Sequence, residues 1–123
     1  IDGTHGLNNY GFQLYTVMVV DEFGNGVPTA FCLSNRADTL LFAEFFKCIK
    51  DKVGIILPQT FMSDDYPAFY NAWENIMGPV ANRLLCTWHI KKNWIQNSNK
   101  IKHKEKRSLV LKTLNSLQKV LDE

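Results

Sequence analysis

Two aspartates, each placed where a strand is expected to end, are the residues of this chain most suited to chemistry. Asp64 stands between an apolar run and an amphipathic helix, within Phe61–Trp73, and Asp2 lies in the opening Ile1–Thr4. Side chains just past the carboxyl ends of strands face the crevice where α/β sheets bind ligands. Two adjacent carboxylates repel unless a cation lies between them, and Mg²⁺ prefers such oxygens together with substrate phosphates. The pair therefore suggests a divalent-metal site for phosphodiester cleavage, provided that folding brings the two carboxylates together.

Each aspartate also has an ordinary structural interpretation. Asp64 can cap the following helix, although Asp65 is better placed for that role because it directly precedes Tyr66-Pro67. Asp2 can be a turn residue, since glycine follows it. Spacing alone does not separate these interpretations from metal binding.

A Cys-x-x-His pair, Cys86 and His89, is the second group with chemical potential. It resembles half of a zinc site, whose ligands usually come in two close pairs. His103 is a candidate third ligand, but it lies in a lysine-rich link without a nearby cysteine, so a closed zinc site lacks ligands. In the alternative interpretation His89 positions phosphate or solvent near the acids, and Cys86 is a small buried hydrophobe.

Charge is distributed unevenly along the chain. Residues 1–90 carry 5 Lys/Arg against 9 Asp/Glu, a net charge of −4, whereas residues 91–123 carry 9 against 3, a net charge of +6. We call the following residues the basic segment: Lys91, Lys92, Lys100, Lys102, Lys104, Lys106 and Arg107. Such a segment predicts contact with a polyanion, and its alternative is a solvated helix face. Trp88 and Trp94 interleave with its start; aromatic rings can stack on bases, although burial in the core is the more common role of tryptophan.

Length and composition set the frame for these groups. With 123 residues, 46% of them hydrophobic, the chain can build one core rather than two. It begins at Ile1 without an initiator methionine, and we expect it to be an excised domain. No apolar run reaches the ~20 residues of a membrane span, and no signal peptide opens the chain. Its three cysteines, Cys32, Cys48 and Cys86, fit a reducing compartment better than a disulfide scaffold.

The elements that must position the acids begin with a hairpin. Tyr10–Val20 is rich in β-branched and aromatic residues and predicts a strand buried on both faces. Asp21–Gly26 is a reversal, and Val27–Leu33 is the return strand.

Helices and short strands follow. Asp38 predicts a helix cap, and apolar residues at helical spacing continue to a stop at Gly54. Ile55–Leu57 and Thr60–Met62 predict one strand, kinked at Pro58. A second helix opens near Pro67 and ends before Gly78, and Arg83–Cys86 is a short strand.

Two more helices complete the prediction, over Trp88–Ile95 and Lys106–Leu121, separated by a polar link. The order is β-β-β-α-β-α-β-α-α, with three antiparallel strands followed by parallel ones. A right-handed crossover allows the first and fourth strands to lie side by side, as they do in the ribonuclease-H-like arrangement. Asp2 and Asp64 would then be neighbours.

Three motifs of the chain resemble, in combination, the Mutator-like element (MULE) transposase domain. They are Asp2-Gly3-Thr4, Phe61–Asp64 with Phe69–Trp73, and Leu85–Ile90 with Trp94. Each motif is weak by itself, whereas the set is specific, and the resemblance extends from the first residue to about Trp94.

The resemblance implies a DDE-type recombinase with a ribonuclease-H-like core. Asp2 would be the first acid and Asp64 the second, and both would be catalytic and metal-binding. Residues 1–96 would be a partial core and residues 97–123 the start of a helical insertion. The third acid, a glutamate, would follow downstream; Glu123 is not chosen for it. Cys86 and His89 match the family's Cys-x-x-His as accessory residues, in catalysis or in local structure.

The implied reaction is metal-assisted phosphoryl transfer at a two-metal site holding Mg²⁺ or Mn²⁺. Water would cut the DNA at the element's end, and the freed 3′-hydroxyl would attack target DNA. The implied partner is DNA, bound by Lys91, Lys92, Lys100, Lys102 and Lys104, in a nuclear protein that forms a homo-oligomer at full length, with no membrane. The alternative is a domesticated DNA- or chromatin-binding relative without catalysis. A receiver-like signalling domain fits poorly, because the hairpin interrupts the regular β-α alternation.

Overall fold

The computed structural model describes residues 1–121 and confirms the predicted order of elements in a mixed α/β protein. The chain divides into two compact units, residues 1–84 and residues 85–123. The elements are β1 (Asp2–Thr4), β2 (Gln13–Val20), β3 (Gly26–Ser34), α1 (Thr39–Val53), β4 (Thr60–Ser63), α2 (Pro67–Met77), β5 (Asn82–Leu85), α3 (Thr87–Ser98) and α4 (Lys104–Leu121).

The first three strands form an antiparallel sheet with β2 in the middle. Asp21 closes the predicted reversal, because its carboxylate accepts hydrogen bonds from the backbone N–H groups of Phe23 and Asn25. Further along the hairpin, Val17 pairs with Ala30 and Met18 pairs with Pro28, so Thr29 is an extra residue in β3. The strand therefore contains a β-bulge at Thr29.

The prediction that the Tyr10–Val20 strand is buried on both faces is wrong. The strand begins at Gln13; Tyr15 is buried, but Met18 and Val20 have exposed fractions of 51% and 73%. An antiparallel sheet often leaves one face to solvent, and the three-residue β1 pairs with only the first part of β2. Continuous hydrophobicity therefore does not report burial here.

Aromatic rings from four elements form the core of the first unit. Phe42 and Phe46 of α1 are fully buried, and their ring centroids lie 4.4 Å from Phe69 and 5.2 Å from Trp73, respectively. Phe61 of β4 adds a contact of 5.3 Å with Trp73. The buried stripes of α1 and α2 thus pack against each other, and α2 also packs against the strand that leads to Asp64.

The ends of α1 agree with the sequence. The Asp38 side chain accepts a hydrogen bond from the N–H of Leu41, and Gly54 takes a positive φ of 84° while its N–H donates to the carbonyl of Lys50. A positive φ is easy only for glycine, which explains why the helix stops there.

The predicted strand that joins Ile55–Leu57 to Thr60–Met62 is too long. Only Thr60–Ser63 is a strand, and residues 54–58 have no regular structure. Pro58 has no N–H to donate to a neighbouring strand, so the ladder cannot extend through it. β4 pairs with β5 in a parallel two-stranded sheet, next to which the N–H of Asn82 donates to the carbonyl of Gln59 over 3.0 Å.

The second unit holds α3 and α4 around a short link. α3 continues to Ser98, beyond the predicted end at Ile95, and α4 begins at Lys104 rather than at Lys106. The guanidinium of Arg107 donates to the carbonyl of Ile101 over 2.9 Å, which ties the start of α4 to the link.

Across the described residues 1–121, no helix has both the length and the apolar character needed to cross a membrane.

Candidate metal-binding site

The strands that carry the two predicted acids meet within the first unit. The backbone nitrogen of Ile1 donates a hydrogen bond of 2.8 Å to the carbonyl of Met62, although the two residues are far apart in sequence. Asp64 directly follows the last residue of β4, as predicted. The prediction that Asp2 lies at the end of a strand is wrong, because Asp2 is the first residue of β1. The hydrogen bond from Ile1 to Met62 joins the two acid-bearing segments.

The carboxylates of Asp2 and Asp64 lie close together. One oxygen of each lies within 4.8 Å of the other, and Asp2 is exposed while Asp64 is half-buried. Solvent and ligands can therefore reach both. The structure brings together the two residues that the sequence singled out, and their role as metal ligands stays a prediction.

Backbone N–H groups orient both carboxylates. The Oδ1 atom of Asp2 accepts from the N–H of Gly3 over 2.8 Å, and the Oδ1 atom of Asp64 accepts from the N–H of Tyr66 over 2.9 Å. Each acid is thus held by its own segment. A local hydrogen bond restricts side-chain rotation, which reduces the entropy that a bound ligand must remove.

The two acids have the chemistry that a small hard cation requires, and the separation of their oxygens is close to the value that it imposes. Two oxygens bound to one Mg²⁺ at about 2.1 Å lie at most about 4.2 Å apart, and Mg²⁺ keeps its remaining positions for water and phosphate. One carboxylate oxygen of Asp2 lies within 4.8 Å of one of Asp64. A small rotation of either side chain is therefore enough to bring the two oxygens to the distance set by one Mg²⁺. The two carboxylates can therefore bind one ion together or two neighbouring ions.

Asp64 and Asp65 do not cap α2. The N-cap is Tyr66, and no side chain bonds to the first helical N–H groups. Asp65, which the sequence favoured as the cap, is exposed. The Asp64 carboxylate instead accepts from the N–H of Tyr66, the N-cap residue itself, which lies ahead of the first helical N–H groups.

Two tyrosines that the sequence did not single out, Tyr15 and Tyr66, contact the segments that carry these acids. The Tyr15 side chain is buried beside Gly3, where a Cβ would lie 3.0 Å from its ring. Its hydroxyl oxygen lies 2.7 Å from Oε1 of Gln13 and 3.0 Å from the carbonyl of Arg36. The Tyr66 hydroxyl donates to the neighbouring carbonyl of Ala37. Burial raises the pKa of Tyr15, with smaller contributions from nearby Cys32 and Tyr66, so its hydroxyl stays protonated and remains a donor.

The predicted accessory pair lies in the second unit. Cys86 is the N-cap of α3, where its carbonyl accepts from the N–H of Ile90, and His89 is in the first helical turn. Within residues 1–121, neither Cys86 nor His103 belongs to a group of three or more potential metal ligands. The part of the chain that the structure describes therefore gives no support to a zinc site that uses Cys86 and His103.

The lysines predicted to bind DNA are all exposed. Lys91 and Lys92 lie on α3, Lys100 and Lys102 on the link, and Lys104 opens α4. Arg107 differs from the other members of the basic segment, because its partly buried guanidinium is engaged with the carbonyl of Ile101.

Comparison with protein families matches residues 1–93 to the MULE transposase domain. The chain belongs to this family. The match includes Asp2, Asp64, Cys86 and His89, and it confirms the MULE resemblance drawn from the sequence. Membership of the MULE family indicates a transposase-related function. Neither the curated proteins nor the solved structures give a match.

Two predictions concern residues that these observations leave open. The division into a core of residues 1–96 and an insertion from residue 97 stays a prediction. Glu123, which was not chosen as the third acid, lies outside the described residues.

Proposed function

We propose that the chain is a catalytic-core segment of a DDE-type DNA transposase that cleaves and joins phosphodiesters with Mg²⁺ or Mn²⁺. The observation that carries this proposal is the approach of the Asp2 and Asp64 carboxylates to within 4.8 Å, from strands far apart in sequence. Membership of the MULE family supports it independently.

A ribonuclease-H-like core is part of the proposal. Three antiparallel strands precede two parallel ones, which form a separate two-stranded sheet, and the hydrogen bond from Ile1 to Met62 favours an arrangement with β4 near β1. In that arrangement the start of β1, which carries Asp2, lies near the end of β4, which Asp64 follows, so the two acids can share one ligand.

In this function Asp2 and Asp64 hold the cations. Bound ions would neutralise phosphate charge and activate the attacking oxygen. The N–H groups of Gly3 and Tyr66 keep the carboxylates in position. Because the Asp2 side chain is exposed, a DNA backbone can approach it from solvent. Neither aspartate needs to touch a base edge, so this site acts on the sugar-phosphate backbone and carries no sequence information.

DNA is the proposed partner, and the nucleus is the proposed location. Exposed lysines of the basic segment would neutralise phosphates, giving modest, salt-sensitive and sequence-independent affinity. Cys86 and His89, at the start of α3, are proposed as accessory residues in either catalysis or local structure.

Mn²⁺ titration followed by electron paramagnetic resonance tests the metal site. We expect Asp64→Asn to weaken Mn²⁺ binding by at least about tenfold. Removing a residue that only orients a metal ligand usually weakens metal binding by about 10- to 100-fold, and Asp64 is proposed as a ligand itself. Asp65→Asn is the matched control, because it removes the same charge from the neighbouring, exposed residue. Its affinity for Mn²⁺ should change far less than that of Asp64→Asn, because Asp65 is exposed and does not belong to the group of potential metal ligands.

Equal Mn²⁺ affinity in the two variants would overturn the metal site. DNA binding that persists without any Mn²⁺ binding would instead support the alternative of a domesticated, non-catalytic DNA-binding protein.

A further inference from the structure

One face of α3 forms an open groove in the second unit. Its volume is about 380 Å³, and it is lined by Trp88, Lys91, Lys92, Ile95 and Gln96. These residues follow one another at helical spacing, so they share one face of the helix. We call this surface the α3 groove.

Trp88 is unusually accessible for a tryptophan. Its exposed fraction is 59%, and that of Ile95 is 57%, so the expectation that this indole belongs to the core is wrong. The Lys92 ammonium lies 4.8 Å from the centroid of the Trp88 ring. A cation at that distance is attracted to the ring's electron-rich face, which restrains the indole in its exposed position.

The charge of the surrounding unit indicates an anionic partner. Residues 85–123 carry 9 Lys/Arg against 3 Asp/Glu, a net charge of +6, whereas residues 1–84 carry a net charge of −4. The change of sign coincides with the boundary between the two units. The α3 groove therefore combines an exposed flat ring with ammonium groups in the positively charged part of the chain.

Among polyanions, single-stranded DNA satisfies both components of the groove. Duplex DNA keeps its bases stacked on one another and offers only phosphates to Lys91 and Lys92. An acidic peptide would pair with the lysines and leave the indole uncovered. An unpaired nucleotide brings a base that stacks on an aromatic ring and a phosphate that binds a cation.

We infer that the α3 groove binds single-stranded DNA, with one unpaired base stacked on Trp88 and the adjacent phosphates bound by Lys91 and Lys92. This inference rests on the proposed function, because it specifies the form of DNA that the second unit engages.

Fluorescence anisotropy with two labelled DNAs tests the groove. The probes are an oligothymidylate of about 12 nucleotides, within the ~4–16 nucleotides of known single-strand sites, and a duplex of equal length. We expect Trp88→Ala to weaken binding of the single strand by about 5- to 150-fold, the range for loss of one stacked base, and to change duplex binding far less. Trp88→Phe should restore most of the loss, because it keeps a ring.

Phe23→Ala is the matched control. Phe23 has an exposed fraction of 80% in the turn between β2 and β3, so its removal deletes an aromatic ring from the acidic unit. Single-strand affinity should be unchanged in this variant.

Two outcomes would overturn the inference and are distinguishable from each other. If the chain binds both probes and Trp88→Ala weakens neither or both equally, the groove is not a base-stacking site, while the proposed function stands. If the chain binds neither probe, the proposed DNA partner fails together with the groove.

Discussion

The hydroxyl oxygens of Tyr15 and Tyr66 lie within hydrogen-bond distance of consecutive backbone carbonyls, those of Arg36 and Ala37. Tyr15 supports β1 beneath Gly3, and the backbone of Tyr66 holds the Asp64 carboxylate. The linker between β3 and α1 therefore fixes both acid-bearing segments to one short piece of backbone. The spacing of Asp2 and Asp64 depends on contacts outside the strands that carry them.

Tyr66→Phe tests this support. The variant loses the hydrogen bond to Ala37 but keeps the aromatic ring that packs edge-on against Phe69. We expect the fold to persist and Mn²⁺ affinity to fall about tenfold, as is usual when a group supporting a metal ligand is removed. Tyr10→Phe is the control, because its ring is 82% exposed in the loop before β2. Equal Mn²⁺ affinity in the two variants would show that the Tyr66 hydroxyl does not position Asp64.

Two glycine substitutions distinguish a rigid neighbour from a flexible one. A Cβ at Gly3 would lie 3.0 Å from the Tyr15 ring, which is buried and held by its hydroxyl, whereas a Cβ at Gly26 would lie 2.5 Å from the terminal methyl of the exposed Met18. We expect Gly3→Ala to lower the free energy of unfolding by about 1–3 kcal/mol, the usual cost of overpacking. Gly26→Ala should cost less despite the shorter distance, because Met18 can change rotamer.

Urea unfolding of the two alanine variants measures the difference. A larger loss for Gly26→Ala than for Gly3→Ala would mean that the Tyr15 ring moves more easily than its hydrogen bonds imply.

Asp38 should make stability depend on acid pH. The N–H of Leu41, followed by the Arg36 side chain, holds the pKa of its carboxyl below the ordinary value of 3.8. Because the folded-state pKa is depressed, the contribution is fully present above the unfolded-state pKa and is lost as pH falls through the folded-state pKa. We expect Asp38→Asn to be less stable than the unsubstituted chain near neutral pH, with the gap closing in acid. Urea unfolding midpoints of both proteins, measured at neutral pH and in acid, give the difference in stability. A difference that is independent of pH would show that the Asp38 carboxylate does not contribute as proposed.

The basic segment should set the salt dependence of duplex binding. Replacing Lys102 and Lys104 with alanine removes two exposed cations, and each phosphate contact contributes about 0.9 to the slope of log affinity against log salt. We expect the slope to fall by about 1.8 for the double variant. Lys47 and Lys52 of α1 form the matched control pair, since they lie in the acidic unit. An equal fall in slope for both pairs would show that the basic segment is not the DNA-binding surface.

Local signals in the sequence predicted most of the elements. The Asp38 cap, the Gly54 stop and the proline that opens α2 act through backbone groups within one turn, so they are visible without tertiary information. The approach of Asp2 to Asp64 could also be predicted from the sequence, because the order of strands and crossovers limits which segments can lie side by side.

Other features depend on contacts that the sequence does not encode locally. The exposure of Met18 and Trp88 reflects what covers each face, which hydrophobicity alone cannot report. The hydroxyl bonds of Tyr15 and Tyr66 reach carbonyls more than twenty residues away, and a phenylalanine would give the same pattern. The contacts of Tyr15 and Tyr66 beside the candidate metal site could therefore not be predicted from the sequence.

The bulge at Thr29 has a consequence for how the hairpin meets other molecules. In the three-stranded sheet β3 is an outer strand, and the Thr29 hydroxyl donates to the carbonyl of Val17 over 3.2 Å, across to β2. A bulge twists its strand and interrupts the even row of backbone groups that an incoming strand would need. This irregularity should therefore discourage sheet-to-sheet aggregation, even though the hairpin displays Phe31 and Leu33 to solvent.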